Sequence, residues 1–496
     1  MSSSTTTQVH DIPTSEFPSE KFPLGRPSPQ LELPAPPHVV VRARSTTEGI
    51  EMNVLGRSRN EETFPDDSSS VIESEESSRK EWAAVTACGL CMFLSGWHDG
   101  SIGPLIPTIQ KYYNLTFTVV SILFVSECLG FMLSAILNVH LSDRLGFGRV
   151  IFLGGICQAI SYAILVPALP FPAMAFLAFV VNGFGIGLQD AQANGFVSAL
   201  RNNPSAKMGI IHSLYGAGAF IAPLVATQFA NQPHWSYLYM VPLIIASLNI
   251  VFLFSIFGFH TQEELLGPIQ PADPVESESN ERKYRQVFGS WAVHIMAAFC
   301  LLYVGAETTM GGWVVTFIIE ERGGGTSADY ISSGFFGGLM LGRIGLIWLN
   351  EKVGERRVVY AYVLLAIGLE MTVWMLPNLL GNAIAFALVG VLMGKCRIPE
   401  VRAWTHLFFL SKWISGPMYP IGMNVLRTVV PKWLLTGSMG WVASVGQAGA
   451  ALFPFLTGIL IQKYGVGVLQ PILVALLGGM TISWALVPSG TKRRGD

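Results

Sequence analysis

The chain has 496 residues, of which 51% are hydrophobic and only 13% charged, with a formal net charge of −2. A soluble domain carries about a quarter charged residues, so this composition and a mean hydropathy of +0.46 exclude an ordinary soluble domain. The charges are gathered in loops and tails, which leaves no basic face for nucleic acid.

Residues 1–80 form the first compositional unit. Ser, Thr, Pro and Glu dominate it, with an acidic serine run from Asp66 to Ser78. Such a segment buries too little apolar surface to fold, and a disordered cytosolic tail is expected. It holds no apolar signal-peptide core. Of the six cysteines, all but Cys396 lie in apolar runs, so no disulfide framework is implied. Cys88-Gly-Leu-Cys91 lacks the second Cys or His pair that a zinc site needs, and no metal or cofactor is expected.

From Trp82 onward, apolar runs of about 20 residues, the length that crosses a bilayer, alternate with short loops. The spans fall at Trp82–Ile109, Val119–His140, Val150–Leu169, Phe171–Ala199, Met208–Phe229, Tyr237–Phe259, Trp291–Ile319, Ile331–Leu349, Val358–Leu376, Ile384–Met423, Leu434–Ile461 and Val468–Val487. Arg79, Lys80, Arg144, Arg149, Arg201, Lys207, Arg282, Lys283, Arg285, Lys352, Arg356, Arg357, Arg427, Lys432 and Lys492 then share one side. Lys111, Arg322 and Lys463 take the other. The positive-inside rule places both termini in the cytosol and the Asn114-Leu-Thr116 sequon outside.

The polar connector near residues 260–289 separates two six-span units, 81–259 and 290–490, with a cytosolic tail at 491–496. The halves echo each other. Asp143-Arg-Leu-Gly146-Phe-Gly-Arg149 follows the second span, and Glu351-Lys-Val-Gly354-Glu-Arg-Arg357 follows the eighth. The first span of each half carries an acid, Asp99 and Glu307. Repeated halves mark a rocking transporter with its site at the midplane. The fold class expected is an all-α membrane protein of twelve transmembrane helices in two pseudo-symmetric six-helix bundles.

The fourth span holds the most informative stretch, Asn182-Gly-Phe-Gly-Ile-Gly-Leu-Gln-Asp-Ala-Gln-Ala-Asn194. On a helix, Gly183, Gly187, Asp190 and Asn194 share a face. The glycines admit a neighbouring helix closely. An ionisable group at that depth serves a substrate or ion pathway, or clamps helices through a hydrogen bond. Asp99 lies among Gly96, Gly100, Gly103 and Pro104. Burial favours the neutral form of a carboxylate, so a buried aspartate can load a proton on one side and release it on the other. His98 titrates near neutrality when unperturbed, but neighbours on a helix point about 100° apart and need not touch. Glu307 shares a face with Tyr303 and Gly311, as a third proton site or as a lock between the halves.

Trp313 offers a ring for a sugar face or an anchor at the membrane interface. His212, Tyr215, Gln189, Asn424 and Gln447 line the cavity or pack. Apart from Arg343, near the cytosolic end of the eighth span, and the stretch after Gly394, no Lys or Arg lies deep in a span. Carriers of carboxylates or phosphates usually need such a partner. A neutral polar solute is favoured, or else a cation. No paired nucleophile and base is evident, so an enzyme is not expected.

Leu141-Ser-Asp143-Arg144-Leu-Gly146-Phe-Gly-Arg149 resembles the signature loop of the major facilitator superfamily, although the usual opening glycine is Val139 here. The architectural match covers Trp82 to Pro488. Within that superfamily the chain resembles the fungal branch of the fucose permease-like sugar–proton symporters. The segments that carry this likeness are Asp190-Ala-Gln-Ala-Asn194, His212-Ser-Leu-Tyr215-Gly216-Ala-Gly218, and Tyr303-Val-Gly305-Ala-Glu307-Thr-Thr-Met-Gly311-Gly312-Trp313. The resemblance implies proton coupling at Asp99 and Asp190. It also implies a conformational latch at the Asp143/Arg144 loop, to which Gly146, Arg149, Arg343, Glu351 and Arg357 are assigned. The implied protein is a monomeric plasma-membrane symporter whose partners are a small solute, a proton and the lipid bilayer. A nutrient sensor that signals through residues 1–80, or a uniporter, is the rival reading.

The tenth span is interrupted. After Gly394 come Lys395-Cys-Arg-Ile-Pro-Glu-Val-Arg402 and an apolar piece to Gly416. Charges so placed sit badly in hydrocarbon. Deleting 395–416 joins Gly394 to Pro417-Met-Tyr-Pro420 and restores one span, similar to the Gly-Pro-x-x-Pro element of the same family. We read 395–416 as a translated, unspliced intron, the alternative being a re-entrant insert. Sequencing the mature transcript is expected to find those codons missing, and their presence refutes the reading.

Overall fold

The computed structural model describes residues 67–200, 202–230, 232–267, 286–325, 328–345, 352–394, 425–426, 430 and 435–488. Among them the regular structure is helical and no strand occurs. The first half supplies α1 (Asp67–Tyr113), α2 (Phe117–Leu145), α3 (Phe147–Leu165), α4 (Ala173–Ser198), α5 (Pro204–Ala230) and α6 (Trp235–Phe257). The second supplies α7 (Trp291–Arg322), α8 (Ala328–Gly345), α9 (Glu355–Met375), α10 (Leu379–Met393), α11 (Leu435–Tyr464) and α12 (Leu469–Leu486). Nine helices among the described residues are long and apolar enough to cross a membrane. Asn424, Glu351 and the interrupted segment 395–416 lie outside the described residues.

The helix starts follow local chemistry. Thr116 caps α2 by accepting from the Val119 amide at 3.3 Å, and Asn378 caps α10 by accepting from the Gly381 amide at 3.1 Å. Both satisfy amides that the helix leaves unpaired. α1 begins at Asp67, so the first helix starts inside the segment read as the tail. Glu75 and Glu76 precede Arg79 and Lys80 by four residues, a spacing that supports a helix.

Backbone contact at glycines draws the helices together. A Cβ at Gly96 would lie 1.9 Å from the Tyr215 carbonyl oxygen, and one at Gly218 would lie 2.1 Å from that of Phe93, so α1 and α5 touch. In the second half, a Cβ at Gly449 of α11 would lie 2.2 Å from the Leu301 oxygen of α7. In the same way Gly183 of α4 meets the Glu127 oxygen of α2, and Gly390 of α10 meets that of Phe335 in α8. The same helix pairs are joined in each half, as a structural repeat requires.

The repeated loops agree in detail. Gly146 and Gly354 have φ of +80° and +90°. A side chain is strained in that conformation, which explains glycine at the same place in both motifs. Their cations differ in use. The Arg356 guanidinium donates to the Val487 carbonyl and, at 3.1 Å, to that of Pro488, while Trp484 Nε1 donates to the Arg356 carbonyl at 3.0 Å. Arg356 thus ties α9 to the end of α12, whereas Arg357 is exposed.

The two halves meet at the end that carries residues 113–117. The Phe117 amide donates to Gln462 Oε1 at 2.9 Å, and Gln228 Nε2 donates to Tyr330 Oη at 3.2 Å. Nearby, a Cβ at Gly103 of α1 would lie 2.1 Å from the Gly311 carbonyl oxygen of α7. At the opposite end a Cβ at Gly195 or Gly440 would meet nothing within 4 Å, and Asp143 and Arg144 are exposed. The halves are closed against each other at the end that carries residues 113–117.

A leucine at position 103 blocks this closure. Gly103→Leu is expected to reach the membrane in normal amount, to lose nearly all transport, and to raise thiol labelling of a cysteine placed at Ser121. Normal transport by that variant would show that the α1–α7 contact is not part of the cycle.

Candidate functional site

α1 places two titratable side chains side by side in sequence and aims them apart. His98 is 1% exposed and turns into the first half. Its ring meets Phe179 edge-on at 5.3 Å and Tyr162 at 6.4 Å between centroids. Its Nε2 lies 3.1 Å from Glu127 Oε1 of α2. Asp99 turns the other way, and the Tyr215 hydroxyl of α5 donates to Asp99 Oδ2 at 2.6 Å. Around Asp99, within electrostatic reach, stand Glu127, His98 and Glu307 of α7. Pro104 and Pro107 lie just beyond, inside the helix. Proline removes a backbone hydrogen bond and kinks a helix, so α1 bends next to the site.

α4 enters the site through a π-helical stretch, Ala173–Phe179, and supplies Phe179 against His98. Such stretches recur at functional sites. The shared face expected of Gly183, Gly187, Asp190 and Asn194 divides its work. A Cβ at Gly183 would lie 2.1 Å from the Glu127 oxygen, and one at Gly187 would lie 1.9 Å from Ser134 Oγ, so the glycines receive α2. Asp190 lies within electrostatic reach of Asp99. Asn194 Nδ2 donates to the Asp190 backbone carbonyl at 2.8 Å. Asp190 Oδ1 and Asn194 Oδ1 are buried with no hydrogen-bond partner among the described residues.

Other expected residues are placed elsewhere. Gln189 is fully buried against Gly154 and Gly155 of α3, with its Nε2 3.4 Å from the Ile151 carbonyl, so it packs two helices. Tyr303 is fully buried and its hydroxyl donates to the Met393 carbonyl at 2.8 Å, joining α7 to α10. Trp313 is packed inside the protein. It is fully buried, its Nε1 donates to the Pro454 carbonyl at 3.0 Å, and Phe117 and Phe124 pack near it. Glu307 is buried in the centre of α7, while His212 is half-buried on α5.

The latch candidates Asp143 and Arg144 are exposed. Asp143 and Arg144 form no ion pair among the described residues, and Arg149 sits 5.7 Å over the Phe259 ring. The side chain of Arg343 lies outside the described set.

Sequence reading missed Glu127. Its signal was of the same kind as that of Asp190, a lone carboxylate in an apolar run, Leu123-Phe-Val-Ser-Glu127-Cys-Leu129. It also missed Glu370, fully buried in α9 without a hydrogen-bond partner among the described residues. No group of three or more His, Cys, Asp or Glu among the described residues is arranged to hold a metal ion.

Two six-helix halves, closed at one end over a carboxylate-lined centre, define a membrane carrier that works by moving one half against the other. The family model of the Major Facilitator Superfamily matches residues 88–405, ending inside the interrupted segment. The chain belongs to that superfamily of transporters and is an integral, multi-pass membrane protein.

It is 26% identical to the Saccharomyces cerevisiae protein called bypass of stop codon protein 6, over 82% of this chain and 83% of that one. It is 22% identical to the 4-hydroxybenzoate transporter of Pseudomonas putida, over 78% and 87% of the two chains. It is 24% identical to a glucose/galactose transporter of Brucella abortus, over 55% and 68%. The crystal structure of a D-xylose-proton symporter superposes with a TM-score of 0.62 at 11% identity, over 83% of this chain and 98% of that one.

The burial of Trp313 carries a prediction. Trp313→Phe removes one neutral hydrogen bond, worth roughly 1 kcal/mol. A lower melting temperature with an unchanged KM is expected. A KM raised tenfold at unchanged stability would return Trp313 to the solute site.

Proposed function

We propose that the protein is a proton-coupled symporter of a neutral, hydroxyl-bearing solute of the sugar or polyol class, working by alternating access. The charge set at its centre carries this reading. Asp99, Glu127, Asp190 and Glu307 gather there, and the facing cationic candidate is His98. The Lys and Arg side chains described in the apolar spans stand in the first or last turns of their helices. Examples are Lys207, which pairs with Glu81, and Arg322, which donates to the Val373 carbonyl at 2.9 Å.

A charged residue at the middle of a span is disfavoured by roughly 3 kcal/mol on the mildest insertion scale. Four ionised carboxylates therefore amount to about 10 kcal/mol, comparable with the whole stability of a domain. His98 offsets one of them. Protons must neutralise the others in at least part of the cycle, and a site that must load protons is built to couple them. The same set disfavours an anionic solute, which needs a cationic partner. The relative named for a sugar pair, glucose and galactose, fits this lining, and the one named for 4-hydroxybenzoate fits it poorly.

With the basic loops inside, both termini are cytosolic, and the end closed by Phe117–Gln462 and Gln228–Tyr330 is the outer one. Closure at the outer end makes this the inward-facing state of the proposed cycle, in which Asp143 and Arg144, exposed here, are released from the inner latch. Loading of Asp99 and Asp190 together with solute favours reorientation, and release of both resets the carrier. The plasma membrane is the site of action and a monomer is the working unit.

The test is proton uptake by proteoliposomes given D-glucose, D-xylose, L-fucose, a polyol or 4-hydroxybenzoate. A neutral solute is expected to drive alkalinisation outside. Asp99→Asn and Asp190→Asn are expected to lose uphill accumulation while keeping solute exchange. Carriage of the same solute without proton movement would remove the coupling, and carriage of 4-hydroxybenzoate in preference to every neutral solute would remove the solute class.

A further inference from the structure

Glu127 belongs to the central charge set but has no individual role in the mechanism just proposed, and the sequence did not single it out. Its backbone and its carboxylate each have one close neighbour. The backbone at Glu127 is pressed against Gly183 of α4, where a Cβ would leave only 2.1 Å to the Glu127 oxygen. Its Oε1 lies 3.1 Å from His98 Nε2. The imidazole is itself immobilised, 1% exposed and walled by Phe179 and Tyr162. The side chain of Glu127 is nevertheless 18% exposed, whereas that of His98 is 1% exposed.

One oxygen therefore faces the buried imidazole, at ion-pair distance, in the interior of the half. The other makes no hydrogen bond among the described residues. The arrangement repeats at Asp99, whose Oδ2 is held by the Tyr215 hydroxyl at 2.6 Å and whose Oδ1 makes none among the described residues. Glu127 also lies within electrostatic reach of Asp99. Two neighbouring carboxylates thus each present one fixed and one open oxygen at the centre of the molecule. A carboxylate oxygen accepts and does not donate while ionised. A fixed acceptor selects a solute by where the solute carries its donors, because a buried acceptor left unmatched is penalised.

We propose that Glu127 is a solute-binding, specificity-determining residue that accepts a hydrogen bond from one hydroxyl of the transported solute, and that His98 is the positioning residue that holds it. This rests on the reading of the protein as a carrier of neutral hydroxylated solutes. The role of Glu127 is distinct from proton coupling at Asp99. It acts on affinity and on the choice among hydroxyl patterns, while turnover and coupling run through Asp99 and Asp190.

The experiment measures initial uptake in proteoliposomes holding the full chain. D-glucose is the probe, or the neutral solute of the panel that the wild type carries in its place, together with its monodeoxy analogues. A hydrogen bond to a charged acceptor is worth about ten- to a hundredfold in affinity. Glu127→Gln is expected to raise KM by about that factor, with maximal rate and proton-to-solute ratio within about twofold of wild type. One deoxy analogue is expected to show the raised KM already in the wild type and to gain nothing further from Glu127→Gln. His98→Gln, which keeps a donor, is expected to preserve KM, and His98→Phe to raise it.

A Glu127→Cys variant in a Cys128→Ser background supplies a readout independent of turnover. It is expected to react with a water-soluble methanethiosulfonate and to be protected by the solute. An unchanged KM in Glu127→Gln, equal additional loss with every deoxy analogue, or an unreactive Glu127→Cys would each overturn the assignment. Loss of uphill accumulation at constant KM would overturn it in favour of a proton-carrying role. Failure to carry any neutral solute would instead remove the parent reading, so the two failures are told apart.

Discussion

The site depends on how closely α1 approaches its neighbours. Gly96 and Gly103 bring its backbone into van der Waals contact with α5 and α7, two helices that belong to different halves. Only at that separation does the Tyr215 hydroxyl reach Asp99, and only then does Asp99 come under the influence of Glu307 across the interface. In a bilayer, where lipid is as apolar as leucine, such close packing replaces hydrophobic burial as the force that joins helices. The small residues that assemble the bundle therefore also set the geometry of the charges. One helix serves both halves, since its Gly96 face stays with α5 while its Gly103 face meets α7 at the closed end.

The fold was largely legible in the sequence because a bilayer leaves few options. Each span must satisfy its own backbone, so apolar runs of the right length are helices, and the glycine at the same place in two distant loops marks a repeat. Gly146 and Gly354 share a positive φ, which explains why that letter of the motif recurs when its neighbours do not. The extension of α1 to Asp67 was less legible, because a polar helix lacks the apolar period that betrays an amphipathic one. Its support in the sequence is the acid–base spacing of Glu75 to Arg79 and Glu76 to Lys80.

The candidate site was legible only in part, for a different reason. Sequence shows which polar groups are in a span but not which way they face. Asp190 and Gln189 are adjacent, yet the first turns toward Asp99 and the second toward Gly154. Tyr303 and Trp313 have the chemistry of sugar-binding residues, and in this structure their donors go to the Met393 carbonyl at the end of α10 and the Pro454 carbonyl within α11. Glu127 was overlooked because no motif surrounds it. Its partner, His98, lies 29 positions earlier in the chain, and only the fold brings the two within 3.1 Å.

Opening at one end and closure at the other are coupled through the same rigid halves. If Gly103–Gly311 and Phe117–Gln462 hold one end shut, rotation of each half as a body parts Asp143 and Arg144 from the opposing half at the other. Neither set of contacts needs to be strong. A carrier must visit both states, so the free energies of its two closures must match to within a few kcal/mol, or one state becomes too rare to support turnover. Single neutral hydrogen bonds such as Phe117–Gln462 and Gln228–Tyr330 are of that order. A motif loop held by exposed charges is of that order as well. The centre is the opposite case. There the charges are buried, the energies are several times larger, and a change of one proton or one solute hydroxyl can tilt a balance that the weak closures at either end leave nearly even.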